Sequence, residues 1–116
     1  MVFLIRAEQI EALDRGREAD FARRYLPFFR ELWSEEASEY SDSQLFDILL
    51  AFVREARGFG VTGDRLIMRY ASFQFAFDGK LTDPAEFPGP AAVLHDLAFN
   101  GRRKIDLLAM WISLNE

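Results

Sequence analysis

The sequence predicts an all-α fold: a compact single domain, residues 1–116, built as a bundle of about five helices. Apolar residues recur at helical spacing in five segments, and no segment alternates apolar and polar residues convincingly enough to predict a strand. Half of the residues are hydrophobic, including 12 Phe, so the chain has the material for a real core and is not disordered.

The first predicted helix covers residues 7–33. Pro27 lies inside it and removes one backbone donor, so we expect the helix to be kinked or broken near this residue. Its apolar stripe, placed at about 100° per residue, consists of Ile10, Leu13, Phe21, Tyr25, Phe28 and Leu32. Toward the C-terminal end the stripe is widened by Leu26, Phe29 and Trp33.

The second predicted helix covers residues 43–57 and follows a polar, acidic linker over residues 34–40. Ser41 or Asp42 is suited to cap its first turn, since both side chains accept hydrogen bonds from free backbone N–H groups. Gly58 is suited to the left-handed conformation that ends a helix.

The third predicted helix begins at Thr62, which we expect to act as its N-cap, with Asp64 in the first turn where the helix dipole favours a negative charge. This helix has apolar residues on two sides. We expect Leu66, Tyr70, Phe73 and Phe77 to lie in the core, flanked by Ile67 and Gln74, with Met68 and Phe75 on roughly the opposite side.

Gly58, Gly60 and Gly63 match the glycine spacing of a dinucleotide-binding loop. That loop requires a preceding strand, whereas a predicted helix precedes these glycines. The glycines therefore indicate a turn between two helices.

Two shorter helices complete the prediction. The first begins at Pro90 and extends to Phe99, and Asn100-Gly101 ends it. The last helix covers residues 102–114. On the last helix Ile105, Leu108 and Ile112 face one way, and Leu107, Trp111 and Leu114 face another.

No residue cluster predicts a catalytic, cofactor-binding or metal-binding site. The chain has no Cys and a single histidine, His95, which cannot form a metal site of the usual type alone. The carboxylates of Glu35, Glu36, Glu39, Asp83 and Glu86 lie in polar segments, which do not supply the two different environments that acid–base chemistry requires of a carboxylate pair. We therefore predict that the protein is not an enzyme.

The charge and hydropathy patterns argue against some classes of partner and location. A net charge of −5, with arginines interleaved among acidic residues, argues against nucleic-acid binding. No apolar stretch approaches the roughly 20 residues that cross a bilayer, and the first residues do not resemble a secretory signal. The predicted location is the cytoplasm.

Apolar residues outside the main stripes form the predicted partner surface. They are either covered within the domain or contact a protein partner or a second copy of the chain. The candidates are Met68, Phe75, Leu107, Trp111 and Leu114.

The order of several short motifs resembles a known group of proteins. The motifs are Leu4-Ile5-Arg6, Gln9-Ile10-x-Ala12-Leu13, Phe21, Ala56-x-x-Phe59-Gly60-Val61, Asp64-x-x-x-x-x-Tyr70 and Phe77-Asp78, followed by a Pro/Ala/Val/Leu helix. Together they resemble small, all-helical proteins encoded beside type VI secretion spike, PAAR-tip and effector genes in Gram-negative bacteria. Pro90-Ala91-Ala92 departs from that pattern, which has a tryptophan in the short helix.

The resemblance implies a non-enzymatic accessory role, in which an adaptor or chaperone binds a secreted effector or spike protein. The alternative is an immunity protein that neutralises a cognate toxin, for which an acidic chain suits a basic active site. No functional residues and no cofactor are implied.

Overall fold

The structure is a computed structural model that describes the backbone of residues 7–115 and the side chains of residues 16–115. It is all-α, and the described residues contain no strand. Six helices follow one another: α1 (Ala7–Leu32), α2 (Ser34–Ala37), α3 (Asp42–Gly58), α4 (Asp64–Ala76), α5 (Pro88–His95) and α6 (Gly101–Leu114). The sixth helix arises because the predicted linker contains the four-residue α2.

Residue contacts divide the chain into two compact units, Met1–Leu50 and Ala51–Glu116, with the division inside α3. The prediction of one domain stays a prediction.

Helix α1 continues through Pro27, so the predicted break is absent, and the kink stays a prediction. Phe21 and Ala22 before the proline and Phe29 after it are buried, and this burial offsets the lost backbone hydrogen bond. The predicted stripe is partly wrong, because Phe28 and Leu32 are 57% and 56% exposed. Of its other members, Ile10 and Leu13 lie outside the described side chains.

Arg30 connects α1 to the segment before α3. Its guanidinium donates to the carbonyl oxygens of Ala37 at 3.1 Å and Tyr40 at 3.0 Å, and it forms an ion pair with Asp42 at 2.8 Å. One rigid five-donor group therefore satisfies two carbonyls of the α2 turn and fixes where α3 begins.

Ser41 caps α3, as predicted. Its hydroxyl accepts from the backbone N–H of Gln44 at 3.2 Å, and the Gln44 side chain accepts from the N–H of Ser41 at 2.9 Å. This reciprocal pair is a capping box, which satisfies two backbone donors at once.

The left-handed residue that follows α3 lies two residues later than predicted. Gly58 is the last helical residue, and Gly60 has the left-handed conformation with φ of 79°. The N–H of Val61 donates to the carbonyl of Ala56 at 2.8 Å, and the N–H of Gly60 to that of Arg57 at 3.0 Å. These are the two bonds of a Schellman motif, and the buried side chains of Ala56 and Val61 supply its hydrophobic contact.

Thr62 does not cap α4. The N-cap is Gly63, whose φ of 88° turns the chain into the helix without any side-chain cap. The buried face of α4 is also turned by about one residue, roughly 100°, from the predicted stripe. Tyr70 is buried as expected, but Leu66, Phe73 and Phe77 are only half-buried, and the remaining buried positions are Ile67, Met68, Ala71 and Gln74.

Helix α4 ends in a second Schellman motif. The N–H of Gly79 donates to Gln74 at 2.7 Å and that of Asp78 to Phe75 at 3.3 Å. Asp78 occupies the left-handed position, with φ of 56°, and is the one described non-glycine residue with positive φ.

The boundary between the last two helices also differs from the prediction. Helix α5 ends at His95, and Asn100 begins α6 instead of ending α5, because its side chain accepts from the N–H of Arg103 at 2.8 Å. Gly101 then packs directly against the turn after α3: a Cβ there would lie 2.2 Å from the carbonyl oxygen of Gly60. The fully buried side chains around these helices include Leu81, Leu94, Ile105 and Leu108.

Candidate functional site

The structure separates the five predicted partner residues by exposure. Met68 is 9% exposed, so it can offer little to a partner in this structure. Phe75, Leu107 and Trp111 are half-buried, and Leu114 is 78% exposed. As a partner surface they stay a prediction.

An exposed apolar stripe runs along α6 and includes a residue that the sequence analysis missed. Met110 is 57% exposed and lies four residues before Leu114. With Leu107 and Trp111, these residues follow the i, i+3, i+4, i+7 spacing of one helix face. We call Leu107, Met110, Trp111 and Leu114 the α6 stripe. The spacing was visible in the sequence, but Met110 belonged to neither of the two faces proposed for this helix.

Trp111 anchors the α6 stripe to the rest of its unit. Its ring lies 5.9 Å from that of Phe77 and 5.7 Å from that of Phe87, and those two rings lie 5.4 Å apart. All three pairs meet edge to face, which is a favourable arrangement for aromatic rings. One side of the tryptophan is therefore fixed by packing.

A buried polar network joins α3, α4 and the loop after α4. The hydroxyl of Tyr70 donates to Glu55 Oε1 at 2.5 Å, and the Gln74 amide donates to the same oxygen at 2.6 Å. Gln74 Oε1 in turn accepts from the backbone N–H of Leu81 at 3.0 Å. Tyr70, Gln74 and Leu81 are fully buried.

Burial, followed by the hydrogen bond and the charge of Glu55, raises the pKa of Tyr70 well above its usual range. The tyrosine therefore stays protonated and serves as a fixed donor to the carboxylate. Each member of this network has a partner, and such satisfied networks specify a packing arrangement. We interpret it as structural.

A cleft of about 450 Å³ lies where the C-termini of α3 and α5 meet the N-terminus of α6. Such a volume is within the range of small-molecule sites. Its lining residues are Gly58, Phe59, Gly60, Leu94, His95, Leu97, Phe99 and Lys104. The walls therefore combine apolar side chains with polar atoms in nearly equal measure, and they include one ammonium and one imidazole.

Lys104 is the unusual residue of the cleft. It is 3% exposed, and its ammonium donates to the carbonyl oxygen of Phe59 at 3.0 Å and lies 5.6 Å from the centre of the Phe59 ring. Within the described part of the chain it has no carboxylate partner. An ammonium has three N–H donors, so two of them have no protein acceptor here.

His95 lies at the same cleft without an arrangement that supports catalysis. Its exposed ring meets Phe59 edge on, with the centres 5.1 Å apart. The neighbouring Asp96 uses its carboxylate to accept from the N–H of Ala98 at 2.9 Å. The acidic residues of the described segments form no group with His or Cys that could hold a metal ion.

The sequence analysis did not identify this cleft. The sequence feature that could have indicated the cleft is the run Arg102-Arg103-Lys104 in the first turn of α6, where a helix usually carries acidic residues. The run is visible in the sequence, but only the fold places Lys104 against Phe59, 45 residues earlier.

Among the described helices, none combines the length and apolar character needed to span a bilayer. Comparison with protein-family models, with curated proteins and with solved structures finds no match for this chain.

Proposed function

We propose that this chain is a non-enzymatic protein-binding accessory, an adaptor or chaperone for a secreted bacterial effector of the type VI kind. The α6 stripe is its contact surface. The observation that carries the proposal is the exposure of Met110 and Leu114, at 57% and 78%, beside half-buried Trp111. Phe28 and Leu32 form a similar exposed pair on α1, but of the two pairs the one on α6 includes a methionine and adjoins a half-buried tryptophan, as is typical of a binding surface.

The composition of the α6 stripe supports this function. Methionine adapts to different partner shapes, and tryptophan is enriched among residues that dominate binding energy. Trp111 is held on one side by Phe77 and Phe87, so little side-chain freedom is lost when its other side is covered.

The occupant we propose is an amphipathic helix of the effector, with its apolar side on the α6 stripe. The acidic net charge of −5 favours a basic partner, because complementary charges speed association and exclude acidic competitors. The resemblance to type VI accessory proteins supplies the class of partner.

The test is affinity capture of the tagged full-length chain from the native bacterium, with the captured protein identified by mass spectrometry. Capture of an effector or spike protein encoded nearby, together with loss of effector secretion on deletion, supports the adaptor role. Capture of nothing, with unchanged secretion on deletion, contradicts it.

Leu114→Asp is the informative variant, because Leu114 is 78% exposed and its replacement leaves the packing intact. Phe28→Asp is the matched control, since Phe28 is also an exposed apolar helix residue but lies on α1. Loss of capture with the first variant alone assigns the surface to α6.

The immunity role is the second candidate, and the same acidic charge favours it. Gene deletion separates the two roles. Deletion of an immunity gene kills the cell only when the toxin is present, whereas deletion of an adaptor gene leaves the cell healthy and the effector unsecreted.

A further inference from the structure

We infer that the cleft lined by Phe59, Leu97 and Lys104 is a binding site for a carboxylate attached to an apolar group. The site lies at the N-terminus of α6, away from the exposed C-terminal half of the α6 stripe, and the inference does not rest on the proposed function.

The first argument is the state of Lys104. A lysine that is 3% exposed has lost nearly all its water, and one carbonyl oxygen replaces only part of that hydration. Buried charges in proteins are normally paired with an opposite charge. Lys104 is one of the residues that line the cleft, and an anion there would supply the opposite charge and the further acceptor that Phe59 does not.

The second argument is the charge of the surrounding helix end. The N-terminus of α6 has a positive partial charge from its own backbone, and three consecutive cations, Arg102, Arg103 and Lys104, lie in its first turn without an acidic residue. Such an arrangement is self-repulsive, although the whole chain is acidic. Arg102 and Arg103 are exposed and do not line the cleft, so solvent weakens their effect, and an anion beside Lys104 would lower the remaining repulsion.

The third argument concerns the rest of the cleft and gives the ligand its apolar part. Leu94 and Phe99 line the walls, and Leu97 lies at the rim with 96% of its surface exposed. A ligand that carries a hydrocarbon group next to its charge would remove more apolar surface of this leucine from water than a purely ionic ligand would. The volume of about 450 Å³ suits a small molecule or one terminal residue of a peptide.

A carboxylate fits better than a phosphate. Lys104 is the one buried cation among the lining residues, and a single charge balances a single charge. Because Arg102 and Arg103 are exposed and do not line the cleft, a doubly charged phosphate would keep part of its charge uncompensated at this one ammonium.

The test is a titration of the full-length, isotope-labelled protein with N-acetyl-leucine, followed by backbone NMR. We expect shifts confined to residues 58–60 and 94–104. N-acetyl-leucinamide, which has the same shape without the charge, should bind at least about tenfold more weakly, since a charge-assisted hydrogen bond is lost. Equal binding of the two probes, or no shift at the cleft at millimolar concentration, overturns the inference.

A short peptide that ends in a free leucine carboxylate distinguishes the two sources of this chemistry. Tighter binding of the peptide than of N-acetyl-leucine assigns a protein C-terminus, and the reverse order assigns a free small molecule. Inorganic phosphate is the further probe. If it displaces N-acetyl-leucine at equal concentration, the site is a simple anion site and the inference fails.

Lys104→Met should abolish binding of N-acetyl-leucine, with Lys80→Met as the control, since Lys80 is exposed and pairs with Glu86 outside the cleft. Leu97→Glu and Leu97→Gln provide a second pair that cannot disturb folding, because Leu97 is 96% exposed. The glutamate variant should bind at least about fivefold more weakly than its glutamine isostere, as expected for a like charge near the ligand. Retained binding by Lys104→Met, or equal binding by the Leu97 pair, contradicts the assignment.

Discussion

Tyr70 and Glu55 form the polar centre of the second unit, in which the tyrosine hydroxyl donates to the carboxylate at 2.5 Å. Gln74 donates to the same carboxylate and accepts from the backbone of Leu81. Three segments of the chain therefore depend on one set of buried hydrogen bonds.

Gln74→Leu should lower the free energy of unfolding by about 2–3 kcal/mol, because the buried N–H of Leu81 loses its acceptor. Tyr70→Phe should cost less, since it leaves that N–H satisfied. Urea unfolding of both variants measures the difference, and an equal loss would contradict the importance assigned to Leu81.

Tyr70 should make the protein less stable at alkaline pH. Its pKa is raised in the folded state, so its contribution is complete below the pKa of the unfolded chain, near 10. Above that pH the unfolded chain releases a proton that the folded chain keeps, so stability falls by up to about 1.4 kcal/mol per pH unit. The Tyr70→Phe variant should lack this part of the slope in unfolding measurements between neutral and strongly alkaline pH.

Gly101→Ala should destabilise the protein by about 2–3 kcal/mol, since the new Cβ would overlap the carbonyl oxygen of Gly60 and the Cα of Val61. Gly58→Ala is the matched control, because Gly58 is helical and a Cβ there meets no atom within 4 Å. It should stabilise by about 0.5–1 kcal/mol. Thermal unfolding of the pair checks both signs.

Asp78→Gly should raise the free energy of unfolding by about 1 kcal/mol. Asp78 holds φ of 56° at the end of α4, a conformation that glycine adopts without steric cost. Gly79→Ala should have the opposite effect, because φ at Gly79 is 75°, a conformation that is strained for any residue with a Cβ. If Asp78→Gly leaves the free energy of unfolding unchanged, interactions of the aspartate side chain offset the steric cost of its left-handed backbone conformation.

The sequence predicts the helices well where local chemistry decides and less well where packing decides. Ser41 and Gln44 cap α3 through neighbours in sequence, so the cap was predictable. The buried side of α4 was not, because the polar Gln74 is buried through partners 7 and 19 residues away. The periodicity places Gln74 only at the edge of the predicted stripe, and its complete burial depends on those distant partners.

The candidate sites show the same division. Leu114 and Trp111 were identified from helical spacing, whereas the cleft at Lys104 depends on a contact across 45 residues. Asn100 was assigned to the wrong helix, because an Asn-Gly pair can end one helix or begin the next. The hydrogen bond from Arg103 decides between them.

The central claim is that the α6 stripe binds a secreted effector, and affinity capture with Leu114→Asp tests it most directly. The account predicts that the unchanged chain and Phe28→Asp both capture the effector, while Leu114→Asp captures at least about tenfold less, as expected for a charge placed in an apolar interface. Equal capture by all three chains would contradict the claim.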